Sequence, residues 1–435
     1  MGDAIFLETA SQIARRLCQS AVWQENRCRW IGLTPVDITG GYKHLERPLG
    51  PDLYCGAAGN LYFLGRLFRL TAEPQLKLTA EGAAREALAR KDEFQPPVRM
   101  SFYYGQVGIA FALVECGEAF GDDQWIKQGL RLLKVLSRRT QRGLANDFLL
   151  GIAGAVPALL NLYDRYPEEW LLAFACRLGD DLLKQAKRRD IGWSWEAFGP
   201  LTPYHIDDLT GLAHGASGVA FALLELYGVT ANATYREAAE EGFRYERHWF
   251  REESENWLDL RFVPGPDGKN HNNGRTFQIQ WCYGAVGAGL TRLRAYRLLG
   301  RAHYLHEAEA ALRTTQRDLA RFPNNWQPNY SLCHGLAGNA EILLEASALL
   351  NREDLRVAAE QVGWQGIELY EKPQRPWPSA LNKNEIPALM TGVAGTAYFY
   401  LRLYDAERTP SILLVTSQRL NTMVSTEGER SARDS

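Results

Sequence analysis

The chain lacks an excess of either charge: its net charge at neutral pH is -2 over 435 residues. A nucleic-acid binder needs a basic surface to displace the counterions of the phosphates, so no nucleic-acid partner is expected. Any apolar run near the roughly 20 residues of a membrane-spanning helix is also missing. The opening residues, MGDAIFLETASQIARRL, lack the basic start and long apolar stretch of an export signal. Gly2 invites a myristoyl group, but Phe6 stands where that motif wants Ser or Thr. Cysteine is sparse and unpatterned, with seven residues at Cys18, Cys28, Cys55, Cys116, Cys176, Cys282 and Cys333. An odd, scattered set suits a reducing cytosol better than a disulfide framework. With no export signal the sequons at Asn232 and Asn329 are read as chance, and a cytoplasmic protein is expected. No β-rich, turn-punctuated region stands out.

What is present is a core and a repeat. Hydrophobic residues make up 46% of the chain, enough for a sizeable core. Seven segments share the form Gly-x-x-Gly followed by a strongly apolar run, led by Gly56, Gly105, Gly151, Gly215, Gly284, Gly335 and Gly392. One such motif is common by chance; seven, each opening a helix-like run, are the signature of a repeat architecture. Between them lie one-sided amphipathic stretches, such as WIKQGLRLLKVLSRR from Trp125 and YLHEAEAALRTTQRDLARF from Tyr304. Neither set can bury its apolar surface alone. The expected fold is therefore all-α: an α/α toroid with seven buried inner helices and seven outer ones, forming one domain over residues 1–425. The tail at 426–435 is expected to be disordered.

The glycines permit close approach where seven inner helices converge. If those helices run the same way, the residues just before each glycine pair gather at one mouth. Unit one offers Tyr54 and Cys55, unit two Tyr103 and Tyr104, and unit three Asp147, four residues ahead of Gly151. Unit four offers Ala213 and His214, unit five Trp281, Cys282 and Tyr283, unit six Cys333 and His334, and unit seven Met390 and Thr391. Cys282 and Cys333 hold equivalent places in consecutive units, and packed helices stand about 8–10 Å apart. Two cysteines and His334 make a three-ligand zinc set with a fourth position open, as in catalytic sites. Two thiolates neutralise Zn²⁺, so a third thiolate from a substrate would be ionised yet electron-rich. His214 faces the same mouth and suits general acid work. Asp147 either orients an imidazole or caps a helix. Tyr283 either packs or hydrogen-bonds a reacting carbonyl, and Cys55 lacks an obvious partner.

WCYG at 281–284, CHG at 333–335 and HG at 214–215, each inside a repeat, resemble the lanthionine synthetase C-like family over about residues 50–405. The resemblance implies the same double ring, and one zinc per chain held by Cys282, Cys333 and His334. It implies that His214 protonates the enolate after a cysteine thiol adds to a dehydroalanine or dehydrobutyrine, with Asp147 in support. The substrate would be a dehydrated precursor peptide supplied by a separate dehydratase. One departure stands out: the cyclase branch often has arginine four residues before the first zinc cysteine, and here that place is Gln278, with Arg275 the nearest basic residue. Other members couple glutathione to dehydroamino acids, and a non-catalytic zinc toroid binding glutathione or a peptide is the rival of another class. A prenyltransferase-like toroid would need an aspartate ligand and a basic pocket, and a carbohydrate hydrolase would need paired carboxylates at the mouth. The widest spacings mark insertions at about 187–210, which is aromatic, and 251–280, which is Gly/Asn-rich; substrate contacts are expected there.

Overall fold

A computed structural model describes residues 2–38, 41–139, 143–198, 201, 208–261, 276–321, 327–380 and 384–420. The tail at 426–435, and the Gly/Asn-rich run with Arg275, lie outside them. Fourteen α-helices occur among the described residues: α1 (Ala4–Gln19), α2 (Ala57–Thr71), α3 (Pro74–Ala89), α4 (Gln106–Phe120), α5 (Asp123–Leu136), α6 (Ala155–Arg165), α7 (Glu169–Gln185), α8 (Ala216–Thr230), α9 (Ala233–His248), α10 (Ala285–Leu299), α11 (Ala302–Leu319), α12 (Leu336–Leu350), α13 (Glu353–Gly366) and α14 (Val393–Tyr404). The even-numbered helices are the seven Gly-x-x-Gly runs. They are apolar on every face and bury accordingly: α4 is buried without a break from Gln106 to Gly117, and α8 from Ala216 to Leu226. The odd-numbered helices bury one stripe, which in α5 is Trp125, Gly129, Leu132, Leu133 and Leu136. Filling such a stripe stabilises the fold by about 1.5–3 kcal/mol for each large side chain fully buried.

Each inner helix packs on the next, and α14 packs on α2, which closes the ring. Six outer helices lie against the inner helix that precedes them; α1 takes the remaining place, on α14. Five inner helices end on a residue in the left-handed conformation, namely Ala72, Gly121, Ala231, Gly300 and Asn351. This C-terminal turn stops the helix and reverses the chain within two or three residues, so inner and outer helices run antiparallel and all inner helices start at one end.

The loops before the inner helices are tied together there. We call the residue two before the leading glycine the anchor position, and the residue directly before it the rim position. Anchor backbones hydrogen-bond around the ring: Leu149 N to Ala213 O at 2.9 Å, Ala213 N to Cys282 O at 3.1 Å, Cys333 N to Met390 O at 2.9 Å, Met390 N to Tyr54 O at 2.8 Å, and Tyr54 N to Tyr103 O at 3.0 Å. The second glycine of every repeat serves this belt. A Cβ there would lie 1.8–2.3 Å from the carbonyl oxygen six residues back, so any side chain would push the loop off the helix. Further along the inner helices, buried ion pairs join neighbours: Arg66 and Arg165 both engage Glu115, Arg294 engages Glu225 at 2.6 Å, and Arg402 engages Glu341 at 3.1 Å.

Among the described residues, four two-stranded antiparallel hairpins decorate the helices: β1 (Val22–Gln24) with β2 (Arg27–Arg29), β3 (Ile31–Ile38) with β4 (Gly41–Pro48), β5 (Lys187–Arg189) with β6 (Gly192–Ser194), and β7 (Phe250–Arg251) with β8 (Asn256–Trp257). The sequence reading foresaw none of them. Two are followed by a tryptophan that caps the outer helix before it: Trp30 Nε1 donates to Leu17 O and Trp195 Nε1 to Leu182 O, both at 2.8 Å. Carbonyls at a helix end need such partners. Asn232, one of the two sequon asparagines, is the N-cap of α9 and accepts from Thr234 N. No helix among the described residues is long and apolar enough to cross a membrane.

Candidate metal centre and active site

The belt sorts the side chains at the mouth. All seven anchor residues are buried, whereas rim residues Cys55, Tyr104, Leu150, His214 and His334 keep partial exposure. The rim residues Tyr283 and Thr391 are buried like the anchors. Cys282 and Cys333 are anchors of adjacent units, and His334 is the rim residue beside Cys333. Their three donor atoms lie within 4.8 Å of one another. Donors around a tetrahedral ion with bonds of about 2.0–2.3 Å stand roughly 3.5–3.8 Å apart, so the set fits zinc with little movement.

The charges at this cluster also suit a dication. Hydrogen bonding from Cys333, and then from the His334 ring, holds the Cys282 thiol down to about 5, against the opposing effect of its burial. Burial pushes the Cys333 thiol well above its ordinary range. A cation bound between them would favour both thiolates. The His334 loop is braced by Asn329: its Oδ1 accepts from Ser331 Oγ at 2.7 Å and its Nδ2 donates to His334 O at 3.4 Å.

Asp147 holds a turn and reaches an imidazole, but it does not cap a helix: the N-cap of α6 is Gly154, with no side-chain hydrogen bond. Asp147 Oδ1 accepts Leu150 N at 2.6 Å, a turn repeated in other units by Asp52 with Cys55 N at 2.7 Å and by Ser101 with Tyr104 N at 2.8 Å. Its Oδ2 lies 3.2 Å from His214 Nδ1, in the next unit. The turn is generic to the repeat and the imidazole contact is particular to this pair. The His214 loop is held from beneath by Glu246 of α9, whose Oε1 accepts Gly211 N and Ser217 N, both at 2.9 Å.

Both insertions deliver a residue that the sequence reading missed. Phe198 stacks on the His214 ring at 4.4 Å between centroids, and it does so with φ at 61°. A bulky residue in that region is uncommon and marks a locally strained backbone. Arg261 lies 3.8 Å over the Tyr283 ring and pairs with buried Asp259 at 2.7 Å. Tyr283 in turn stands 6.0 Å from the His214 ring. Burial pushes the Tyr283 phenol well up, with Arg261 opposing, so it remains a hydrogen-bond donor at neutral pH. The signals available were GWSWEAFGP and a lone arginine, neither with a period to place it. Gln278 contributes its backbone: its carbonyl accepts Asn256 Nδ2 at 3.0 Å and Ala285 N at 3.3 Å. Trp281 is a core residue whose Nε1 donates to Leu413 O at 3.0 Å. Cys55 turns to Thr391 Oγ1 at 3.2 Å, outside the three-donor cluster.

Comparisons with known proteins bear on the family and the fold. A family profile described as lanthionine synthetase C-like protein matches residues 47–414. A lacticin 481/lactococcin biosynthesis protein of Lactococcus lactis subsp. lactis is 23% identical over 403 residues, 90% of this chain and 39% of that protein. A glutathione S-transferase of Danio rerio, LANCL1, is 22% identical over 272 residues, 61% of this chain and 60% of that protein. The chain thus spans less than two thirds of the length of these curated relatives. Among solved structures, nisin cyclase superposes with a TM-score of 0.56 at 17% identity, covering 86% of this chain and 92% of that one. An unsaturated glucuronyl hydrolase from Bacillus sp. GL1 does so with a TM-score of 0.51 at 17% identity, covering 81% and 96%. At such identities the likeness is one of fold.

Proposed function

The chain belongs to the lanthionine synthetase C-like family, and on that premise we propose that it is a zinc-dependent cyclase that closes thioether rings in a dehydrated peptide. The observation that carries the reading is the convergence of Cys282, Cys333 and His334 in the mouth that also presents the His214–Asp147 pair. Cys282, Cys333 and His334 would hold the ion. Zinc held there would lower the pKa of an incoming cysteine thiol, whose proton leaves to solvent. The thiol sulfur bonds to the β-carbon of dehydroalanine or dehydrobutyrine as the C=C π bond opens, and the α-carbon takes a proton.

His214 gives that proton. Asp147 Oδ2, at 3.2 Å from Nδ1, holds the ring in place for that transfer. Phe198 against the ring and Tyr283 beyond it cover part of an imidazole that keeps partial exposure. Tyr283, kept protonated, is placed to donate to the substrate carbonyl as negative charge gathers there, with Arg261 over its ring to bias that charge favourably. The dehydrated residues must come from a separate dehydration of serine or threonine.

The test is His214→Asn with a dehydrated peptide bearing a free cysteine. Ring closure leaves the mass unchanged, so free thiols are counted by alkylation. The variant should retain zinc and bind peptide but cyclise about 10²–10⁴-fold more slowly. Equal rates in wild type and variant, above the spontaneous background, remove His214 from the mechanism. If wild type closes no ring yet joins glutathione to the dehydro residue, the thiol donor is glutathione and the cyclase reading fails.

A further inference from the structure

The mechanism does not use the chain after α14, yet residues 411–415, SILLV, are as buried as any inner helix, with Leu413 wholly so. This segment runs into the barrel from the end opposite the mouth, and side chains from most of the inner units grip its backbone. Arg402 Nη1 donates to Thr409 O at 2.7 Å, and Tyr398 OH to Pro410 O at 2.5 Å. Tyr103 OH donates to Ile412 O at 2.9 Å, and Asn161 Nδ2 to Thr416 O at 2.8 Å. Its exit is tied down as well. Glu225 accepts Ser417 N at 2.9 Å, and Asp164 Oδ2 accepts Ser417 Oγ at 2.7 Å and Gln418 N at 2.6 Å.

The deepest of these contacts bears on the metal centre. Trp281 Nε1 donates to Leu413 O, and Trp281 is covalently joined to Cys282. Tyr103, the anchor of unit two, packs edge-on against the Trp281 indole at 5.3 Å. Units two and five stand three places apart, the widest separation a ring of seven permits. The segment therefore braces the ring across its full width, directly beneath one cysteine of the cluster. Groups just outside a ligand shell orient the ligands, and losing one typically costs about 10–100-fold in metal affinity.

We propose that residues 409–419 form a strut through the barrel that positions the metal ligand Cys282 through Trp281. The inference rests on Cys282 being a ligand. The strut fixes the height of Trp281 in the barrel, and with it the distance between Cys282 and Cys333.

The experiment measures zinc affinity of the full-length apo chain by competition with a chromophoric chelator, alongside thermal melts. Trp281→Phe keeps an aromatic ring but removes the donor to Leu413 O. Asp164→Ala releases the strut at its exit, remote from the metal cluster. Both should weaken zinc binding by about tenfold or more. Leu178→Ala, in outer helix α7 and away from the strut, should lower the melting temperature with zinc affinity unchanged. If Trp281→Phe fails to fold, Asp164→Ala decides. Wild-type affinity in the variants overturns the strut, and so does an equal loss of affinity in Leu178→Ala. No zinc binding by the wild type would overturn the metal reading and the strut with it.

Discussion

Glu246 lies wholly buried under the His214 loop, with its Oε1 serving two backbone amides and its Oε2 without a hydrogen-bond partner. Burial pushes its carboxyl up to about 7 from an ordinary 4.5, against the opposing charge of Arg292 and the two amide donors. A carboxyl whose folded pKa is raised binds more protons when folded. Its contribution to stability is therefore full below about 4.5 and is lost as pH rises through about 7. Glu246→Gln keeps an oxygen for Gly211 N and Ser217 N and stays neutral throughout. A lift of roughly two to three units, at about 1.4 kcal/mol each, makes the glutamine about 3 kcal/mol better at pH 8.5 and no better at pH 4.5. With an unfolding entropy near 2 cal/mol/K per residue, a chain this long shifts by about 1 °C per kcal/mol. Calorimetry should show Glu246→Gln melting about 3 °C above wild type at pH 8.5, with the gap closing towards pH 4.5. A gap independent of pH, or a variant less stable at pH 8.5, refutes the argument.

Purified wild type should carry one zinc per chain by elemental analysis, and Cys333→Ala should lose most of it while melting close to wild type, because the helical rings bury the core without the ion. Gly284 has φ at 79°, and a Cβ there would lie 1.7 Å from Gln278 O; Gly284→Val should therefore cost at least about 1–3 kcal/mol in strain alone, and circular dichroism melts indistinguishable from wild type would contradict that. Glu115→Ala strands Arg66 in the barrel without its counter-charge, while Arg165 keeps Glu118. Breaking a buried pair costs about 3–5 kcal/mol, so a calorimetric loss of stability under about 1 kcal/mol would show that Arg66 finds another partner.

The ring was legible because its grammar is local. A glycine pair opens each inner helix, the apolar period separates inner from outer, and counting yields seven of each. The three donors were legible because the belt gives equal sequence offsets equal places in space. What escaped the sequence has no period. The hairpin of β3 and β4 is set by strand pairing, and its residues carry no run long enough to stand out. SILLV is too short to declare itself, and its burial follows from a barrel that exists only once α14 meets α2. Phe198 and Arg261 reach the mouth through long insertions whose paths depend on tertiary packing. Asp147 was ambiguous because its local spacing suggests a cap, and it makes only a loop turn, whereas the imidazole contact needs His214 in the adjacent unit.

Cys55 shows what makes the metal centre. It stands at the rim of unit one, in the same mouth as Cys333. The neighbouring rim residue in unit seven is Thr391, which offers a hydroxyl at 3.2 Å. Burial pushes the Cys55 thiol up to about 12, so it remains neutral. Cys282 has the same side chain and is the more buried of the two, but it has Cys333 and His334 beside it, and its thiol is held below its ordinary range. Burial alone raises a thiol; only neighbours from an adjacent unit can offset that. A cysteine in this mouth therefore gains companion donor atoms from the identity of the next unit, not from its exposure or its own loop. This is why consecutive placement of Cys282 and Cys333 carried information that neither residue, nor Cys55, carried alone.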